Sequence, residues 1–165
     1  YLLQPLFLLK FSFLKLPLKY LSAKAYSHQI MFEVTITANV QHILPDIISE
    51  ADFRTIVADL VENAFIAVKN ETKRNVLFHT KIENNLFYVD IYDSGAPFAK
   101  EVLENMGKKA ITTHKHEGGS GIGYMSTFEI LNRCQGGLHI DENLELETYT
   151  KKVSIYFPLD DTDFF

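Results

Sequence analysis

Cysteine is almost absent from this chain of 165 residues, in which Cys134 stands alone. A lone cysteine excludes an internal disulfide and the paired-thiol motifs that bind zinc, and it is typical of a reducing, cytoplasmic setting. Clusters of basic residues are also lacking, and the formal net charge is −5 at pH 7. We therefore expect no nucleic-acid partner, whereas backbone amides can still bind a small phosphate ligand.

The chain also lacks a long uninterrupted apolar run, internal repeats and low-complexity linkers. Residues 1–21 are rich in leucine and phenylalanine, but they are interrupted by Pro5, Lys10, Lys15, Pro17 and Lys19. A membrane-spanning helix needs about 20 predominantly apolar residues, so none is predicted, and the basic residues argue against a secretory signal. With 47% hydrophobic residues, we expect one core. The predicted organisation is an N-terminal apolar or helical segment over 1–30, one domain over 31–160 and a tail over 161–165.

Helical periodicity begins after Pro17, a residue that suits the first turn of a helix. The helix is predicted over Leu18–Gln29, with its apolar residues on one face: Leu18, Leu21, Ala25 and Tyr26. Such a face docks on a partner element, either the apolar stretch before the helix or a region outside this chain. Phe32–Val40 then alternates between apolar and polar residues, which predicts a half-buried strand.

The longest predicted helix runs from Ser49 to about Lys69. Ser49 with Asp52 three residues later resembles a capping box, which stabilises a helix N-terminus. The apolar side chains form one broad stripe, typical of a core-facing surface: Phe53, Ile56, Val57, Leu60, Val61, Ala64, Phe65 and Val68. A second line follows the edge of this stripe: Asp59, Asn63, Ile66 and Asn70. Polar residues that border a core face are candidates for a functional site.

The second half of the chain predicts a hairpin, two helices and further strands. The hairpin strands are Asn75–Ile82 and Leu86–Asp93, joined by a turn at Glu83–Asn85. The other elements are helices over Ala99–Met106 and Ile122–Gln135, and strands near Leu138–Asp141, Leu144–Thr150 and Lys152–Pro158. Between the two helices lies a polar loop with His114 and His116. Two histidines without a third ligand nearby are more typical of a solvated loop than of a zinc site.

Four glycines crowd into Gly118–Gly123, directly before the second of these helices. Glycines are costly in backbone entropy, so they indicate a tight turn or a close approach of the main chain to a ligand. A loop that leads into a helix N-terminus can bind phosphate through its amides and the helix dipole. The segment lacks the ending of a Walker loop and the spacing of a dinucleotide fingerprint. On this segment alone, a glycine-rich turn without a ligand remains an open alternative.

Three stretches occur in a fixed order: Asp59–Ala64 on a helix, Asp93–Pro97 after a strand and Gly119–Gly123 before a helix. They resemble the N, G1 and G2 boxes of the ATP-binding domain shared by sensor histidine kinases, gyrase, the Hsp90 chaperone and the MutL mismatch-repair proteins. The resemblance covers about residues 17–158. Within the superfamily the chain is most similar to the quorum-sensing branch of histidine kinases, over Leu18–Ala25, Glu62–Ala67 and Ile111–Thr113.

The resemblance implies an α+β fold, a two-layer α/β sandwich (the Bergerat ATP-binding fold) with a mixed sheet and helices on one face. The implied ligands are ATP and Mg²⁺. Asp93 would accept a hydrogen bond from the adenine amino group, worth about 1.5–3 kcal/mol for an ionised acceptor. Asn63 would bind Mg²⁺ through its side-chain carbonyl, since this hard ion prefers oxygen ligands. The alternatives are an Asx turn for Asp93 and a solvent-facing amide for Asn63.

The resemblance also assigns roles to the loops. Gly95 would let the backbone pass close to the base. Gly107–Glu117 would form the lid over ATP. The lid threonines and the loop glycines would lie near the nucleotide: Thr112, Thr113, Gly119, Gly121 and Gly123.

Asp59 takes the place where hydrolysing members of the superfamily carry a glutamate that activates water. We therefore hypothesise that Asp59 is a catalytic base, whereas Glu62 is predicted to face solvent. Ile66 departs from the pattern, because many kinases carry a phosphate-contacting lysine there. No histidine precedes His28, so the resemblance implies a phospho-accepting histidine outside this chain.

The function implied by the resemblance is that of the catalytic domain of a two-component sensor histidine kinase. The implied partners are histidine-bearing dimerisation helices and a response regulator, with a homodimer in the full-length protein. The implied location is the cytoplasm, including the cytoplasmic part of a membrane receptor. Alternatives are an anti-sigma-type serine kinase, a plain ATPase and a non-catalytic interaction module that has kept the fold.

Overall fold

A computed structural model describes residues 12–36, 40–106 and 123–159. The helices in this part of the chain are α1 (Ser12–Ser27), α2 (Val40–Ile47), α3 (Glu50–Val68), α4 (Lys100–Asn105) and α5 (Gly123–Arg133). The strands are β1 (Met31–Ile36), β2 (Asn75–Glu83), β3 (Leu86–Asp93), β4 (Gly137–Asp141) and β5 (Lys151–Pro158).

The strands form one mixed sheet in the order β1-β2-β3-β5-β4. β1 and β2 are parallel, and the other neighbouring pairs are antiparallel. Alternate residues of the central strands are buried against the helices, for example Phe78 of β2, Val89 of β3 and Ile155 of β5. This architecture confirms the predicted α+β sandwich with helices on one face of a mixed sheet.

α3 is the central helix of the core, as its apolar periodicity predicts. All eight residues of the predicted stripe are buried. Ser49 caps the helix, since its Oγ accepts a hydrogen bond from Asp52 N at 3.1 Å. The Asp52 carboxylate instead accepts from Arg133 Nη2 at 3.0 Å, so it links the start of α3 to the end of α5.

α1 differs from the prediction in its start, its buried face and its partner. It begins at Ser12, with Pro17 inside it, because Leu14 adds a further turn to the buried row that continues through Leu18, Leu21 and Ala25. Tyr26, which was predicted on this face, is 87% exposed. At 100° per residue it lies beside Ala25 rather than in line with it.

The partner of α1 is α3, which lies within the chain. Glu62 of α3 contacts Lys24 Nζ at 2.7 Å and accepts a hydrogen bond from Tyr20 Oη at 3.3 Å. The prediction that Glu62 faces solvent is therefore wrong in part. Its side chain is 34% exposed, and its carboxylate points towards α1.

Two further predictions are corrected. The strand predicted to reach Val40 ends at Ile36 within the described residues, and Val40 begins the unpredicted helix α2. The sequence signal for α2 is weak, because the helix is only eight residues long and contains Pro45. The predicted strand Leu144–Thr150 is also wrong. This segment connects β4 to β5, which pair directly with each other.

Candidate functional site

Asp93 and Lys151 form a buried ion pair at one end of the sheet. Asp93 is the last residue of β3 and Lys151 the first of β5, and they lie directly opposite each other in register. Lys151 Nζ donates to Asp93 Oδ1 at 2.7 Å, and the two side chains are only 2% and 3% exposed. Nζ also donates to Ala96 O at 2.7 Å. The ammonium group therefore joins the carboxylate to the turn that follows β3.

The turn after β3 contributes a second hydrogen bond to the same carboxylate oxygen. Gly95 N donates to Asp93 Oδ1 at 2.8 Å, which is the Asx turn that the sequence left open as an alternative. Burial raises the pKa of Asp93, and the Lys151 ammonium and the Gly95 amide oppose that rise. Oδ2 takes part in neither bond, so the Asx turn leaves one carboxylate oxygen for a ligand.

Gly95 brings this turn against α3. A Cβ atom at Gly95 would lie 2.7 Å from Ala67 O and 2.9 Å from Ala67 Cβ. Ala67 is one turn beyond Asn63 on α3. The requirement for glycine here is explained by the close approach of two protein segments, and the predicted contact of Gly95 with a base remains a prediction.

We expect Gly95→Ala to lower the free energy of unfolding by about 1–3 kcal/mol, because overpacking against a helix backbone forces a shift. Urea denaturation followed by circular dichroism measures this change. Ala96→Ser is the matched control, since Ala96 is the next residue and is exposed. Its free energy of unfolding should stay within about 0.5 kcal/mol of the wild-type value. Equal stability of Gly95→Ala and the wild type would contradict the packing account.

Asp59 and Asn63 lie one turn apart on α3, and both are half-buried. Burial raises the pKa of Asp59 to about 6, and the negative charge of Glu62 adds to the rise. Asp59 Oδ2 is buried, and no described residue donates a hydrogen bond to it. A desolvated carboxylate with a pKa near neutrality has the chemistry of a general base.

Asp59→Asn should raise the free energy of unfolding at about pH 8 and leave it nearly unchanged at about pH 4. The folded-state pKa of about 6 lies above the ordinary value of 3.8, so the folded protein binds more protons between these values. Wild-type stability therefore falls as pH rises towards 6 and then stays level. Urea denaturation at both pH values measures the difference. Asp46→Asn, at an exposed position of α2, is the control. A destabilised Asp59→Asn at pH 8 would contradict this account.

Aromatic side chains line the same end of the sheet. The rings of Phe98 and Tyr124 meet edge to face with centroids 6.3 Å apart, and Lys151 Nζ lies 5.3 Å from the Phe98 ring centroid. Phe98 N donates to Glu142 Oε1 at 2.5 Å. Burial raises the pKa of Tyr124, and the charge of Asp93 adds to the rise. Tyr124 therefore remains a neutral phenol beside the ion pair.

The predicted site residues fall into two groups. The structure describes Asp59 and Asn63 on α3, and Asp93 with Gly95 at the end of β3, where the β3 turn packs on α3. Gly123 is the first residue of α5. The other predicted site residues lie outside the described ranges: Thr112, Thr113, Gly119 and Gly121. The two histidines of the polar loop, His114 and His116, lie outside these ranges as well.

Lys151 is the residue that the sequence analysis missed, because the predicted strand began at Lys152. A signal was available in the alternation of β5. Lys151 precedes Val153, Ile155 and Phe157 at a spacing of two, and all of these residues are buried. A lysine in register with a buried apolar row requires a buried partner of opposite charge.

A groove of about 410 Å³ lies on the opposite face of the sheet. It is lined by Thr35, Leu77, His79, Tyr92 and residues 146–149. These strand positions alternate with the buried positions that face the helices. The groove therefore contains none of the described candidate site residues.

Two other features are absent from the part of the chain that the structure describes. No three histidine, cysteine, aspartate or glutamate side chains converge there in a way that could hold a metal ion. No helix in the described ranges is both long enough and apolar enough to cross a bilayer.

Comparison with known proteins gives a match over most of the chain. Residues 48–161 match the family described as histidine kinase-, DNA gyrase B- and HSP90-like ATPase. Sporulation kinase A of Bacillus subtilis (strain 168) is 30% identical over 105 residues, which are 64% of this chain and 16% of that protein. The chain thus spans less than a fifth of the length of this relative.

Solved structures with the same architecture include those of histidine kinase ThkA and of ShkA. The nucleotide-free catalytic domain of histidine kinase ThkA aligns with a TM-score of 0.67 and 16% identity, over 88% of this chain and 90% of that one. Full-length ShkA in complex with AMPPNP aligns with a TM-score of 0.69 and 16% identity, over 92% of this chain and 30% of that one. At this level of identity, the similarity shows a shared fold.

Proposed function

We propose that this chain, which belongs to the family of histidine kinase-, DNA gyrase B- and HSP90-like ATPases, is the ATP-binding catalytic domain of a two-component sensor histidine kinase. In this proposal it transfers the γ-phosphoryl group of ATP to a histidine outside the chain. The observation that carries the proposal is the buried carboxylate of Asp93, which is fixed through one oxygen and leaves the other for the adenine amino group. The half-buried polar edge of α3 supports it.

The proposed base contact uses a charged acceptor in a protected position. Asp93 is 2% exposed, so water competes little for its carboxylate. A hydrogen bond to a charged group contributes about 1.5–3 kcal/mol. A ligand that lacks the amino group would leave Oδ2 of this carboxylate without a donor, which weakens binding of that ligand. The site therefore favours adenine over bases with a carbonyl oxygen at the same position.

Mg²⁺ and the phosphates belong beside the polar edge of α3 in this proposal. Asn63, half-buried on this edge, would hold Mg²⁺ through its side-chain oxygen, and the partnerless Oδ2 of Asp59 one turn earlier would serve the attacking group rather than the metal. When bound, Mg²⁺ neutralises charge on the phosphates. Asp59 would polarise the attacking group, and the amides near Gly119, Gly121 and Gly123 would receive the phosphates, with Thr112 and Thr113 in the lid above them.

The partners and the location follow from the same proposal. The acceptor histidine lies on dimerisation helices, and a response regulator receives the phosphoryl group from it. The full-length protein is proposed to be a homodimer in the cytoplasm, or a membrane receptor whose cytoplasmic part contains this chain. Residues 1–30 would then be the end of the dimerisation region or a linker.

A phosphotransfer assay tests the proposal. The chain is incubated with γ-labelled ATP and Mg²⁺, with and without a purified histidine-bearing dimerisation domain from a sensor histidine kinase. Label on the acceptor that is acid-labile and alkali-stable supports a histidine kinase. Steady phosphate release without an acceptor would favour a plain ATPase. Nucleotide binding without either product would favour a non-catalytic module.

A further inference from the structure

We propose that Lys151 is a positioning residue for base recognition: it holds Asp93 Oδ1 so that Oδ2 is presented to the nucleotide as an unprotonated acceptor. The inference rests on the proposed function, because it requires Asp93 to contact the base. Lys151 was not identified from the sequence patterns. In this inference it influences which nucleotide base the site prefers.

The geometry restrains the carboxylate from two directions. Lys151 Nζ approaches Oδ1 from the neighbouring strand at 2.7 Å, and Gly95 N approaches it from the following turn at 2.8 Å. Nζ is itself held by Ala96 O at 2.7 Å. The register pairs Asp93 directly with Lys151, so the ammonium position is fixed by the sheet. Rotation of the carboxylate would break both bonds to Oδ1.

Lys151 also determines where a proton could reside. A neutral carboxyl group carries its proton on one of two oxygens. Because Oδ1 accepts the Gly95 N–H group with or without Lys151, the proton of a neutral Asp93 would reside on Oδ2. That oxygen would then donate to the base instead of accepting. A buried positive charge opposes this protonation, whereas burial alone favours it.

Three charged or titratable groups face Asp93 from the elements around it. Lys151 on β5 and the Gly95 amide lower the pKa of Asp93, whereas burial and Glu142, in the segment after β4, raise it. Tyr124 on α5 stays neutral, since burial raises its pKa. Lys151 is thus the cation of this set that opposes protonation of Oδ2.

This arrangement predicts discrimination between ATP and inosine triphosphate. Adenine carries an amino group that donates to an unprotonated Oδ2, whereas hypoxanthine carries a carbonyl oxygen at the same position. A protonated Oδ2 would reverse the preference, because it donates to that carbonyl oxygen. Removal of Lys151 should therefore make the choice of base depend on pH.

The experiment measures the Kd of ATP and of inosine triphosphate for the full chain at about pH 6.5 and about pH 8, where hypoxanthine stays neutral, by isothermal titration calorimetry. The readout is the ratio of the two Kd values, which is the same whatever fraction of a preparation is folded. Wild type should favour ATP by about 10-fold or more at both pH values. Lys151→Met should lose most of this preference at the lower pH and regain it at the higher one. Lys151→Arg, which keeps the charge, should resemble the wild type.

The possible results separate this inference from the proposed function. A Lys151→Met ratio equal to that of the wild type at both pH values would overturn the inference alone. If neither Lys151→Met nor Lys151→Arg binds either nucleotide at either pH value, Lys151 is needed for folding, and this result would also overturn the inference. An Asp93→Asn ratio equal to that of the wild type, or no binding by the wild type, would overturn the base contact itself and the inference with it.

Discussion

Lys151→Met is expected to lower the free energy of unfolding by about 3–5 kcal/mol at pH 7, the cost of leaving a buried charge without its partner. The methionine keeps the length and apolar volume of the lysine, so a packing defect contributes little. The isolated Asp93 carboxylate loses the ammonium that faces it at 2.7 Å, and Ala96 O loses its donor. Because protonation relieves the unpaired charge, the cost should shrink as pH falls from about 7 towards about 4.

Two further variants test whether loss of the ion pair causes this decrease in stability. Lys152→Met is the matched control. Lys152 is the next residue, half-buried on the opposite face of β5, with its ammonium 5.7 Å from the Tyr92 ring centroid. Lys152→Met should lower the free energy of unfolding by less than about 1 kcal/mol. Combining Lys151→Met with Asp93→Asn should recover part of the lost stability, because the remaining side chain is neutral. An additive double variant in urea denaturation would contradict the ion-pair account.

Asp59→Asn should reduce turnover about 10²- to 10⁴-fold while nucleotide affinity stays at the wild-type level, because a positioned base contributes a factor of that size. Asparagine has nearly the same shape as aspartate but cannot take up a proton. The measurement is the initial rate of product formation at saturating ATP, paired with a binding titration. Asp46→Asn is again the control.

The pH profile provides a second test of the same residue. Since the pKa of Asp59 is raised to about 6, wild-type turnover should increase as pH rises through this value and then level off. Asp59→Asn should lack this step. Unchanged turnover in the variant would remove Asp59 from the mechanism.

The parts of the fold that were predictable from sequence are those with strong local periodicity. The stripe of α3 and its Ser49 cap are confirmed residue by residue, since helical spacing alone decides which side chains share a face. The hairpin of β2 and β3 is confirmed for a similar reason. Asn84 and Asn85 have φ values of 51° and 58°, the left-handed conformation that two-residue hairpin turns require.

The elements that were missed depend on tertiary contacts. α2 is short and contains Pro45, so its place in the core comes from contacts of residues such as Leu44, which is fully buried, rather than from propensity. The segment from Leu144 to Thr150 alternates like a strand but serves as the connection between two paired strands.

The residues of the candidate site were likewise predictable only where their sequence signal lies within one element. Asp59, Asn63 and Asp93 were found through motifs that lie within single elements. The partner of Asp93 was not found, because pairing of β3 with β5 brings together residues that are 58 positions apart. Cross-strand register of this kind cannot be obtained from one strand alone. The roles predicted for the other loop residues stay predictions.

The proposed contact between Asp93 and adenine is tested most directly by titrating the purified chain with a fluorescent ATP analogue, with and without Mg²⁺. Wild type and Asp93→Asn are compared with Asp90→Asn. Asp90 lies on the same strand and is equally buried, but its carboxylate accepts from Ser154 Oγ on the opposite face of the sheet. We expect Mg²⁺-dependent binding by wild type and Asp90→Asn, and binding about 10- to 150-fold weaker by Asp93→Asn. No binding by the wild type, or equal binding by all three proteins, would contradict it.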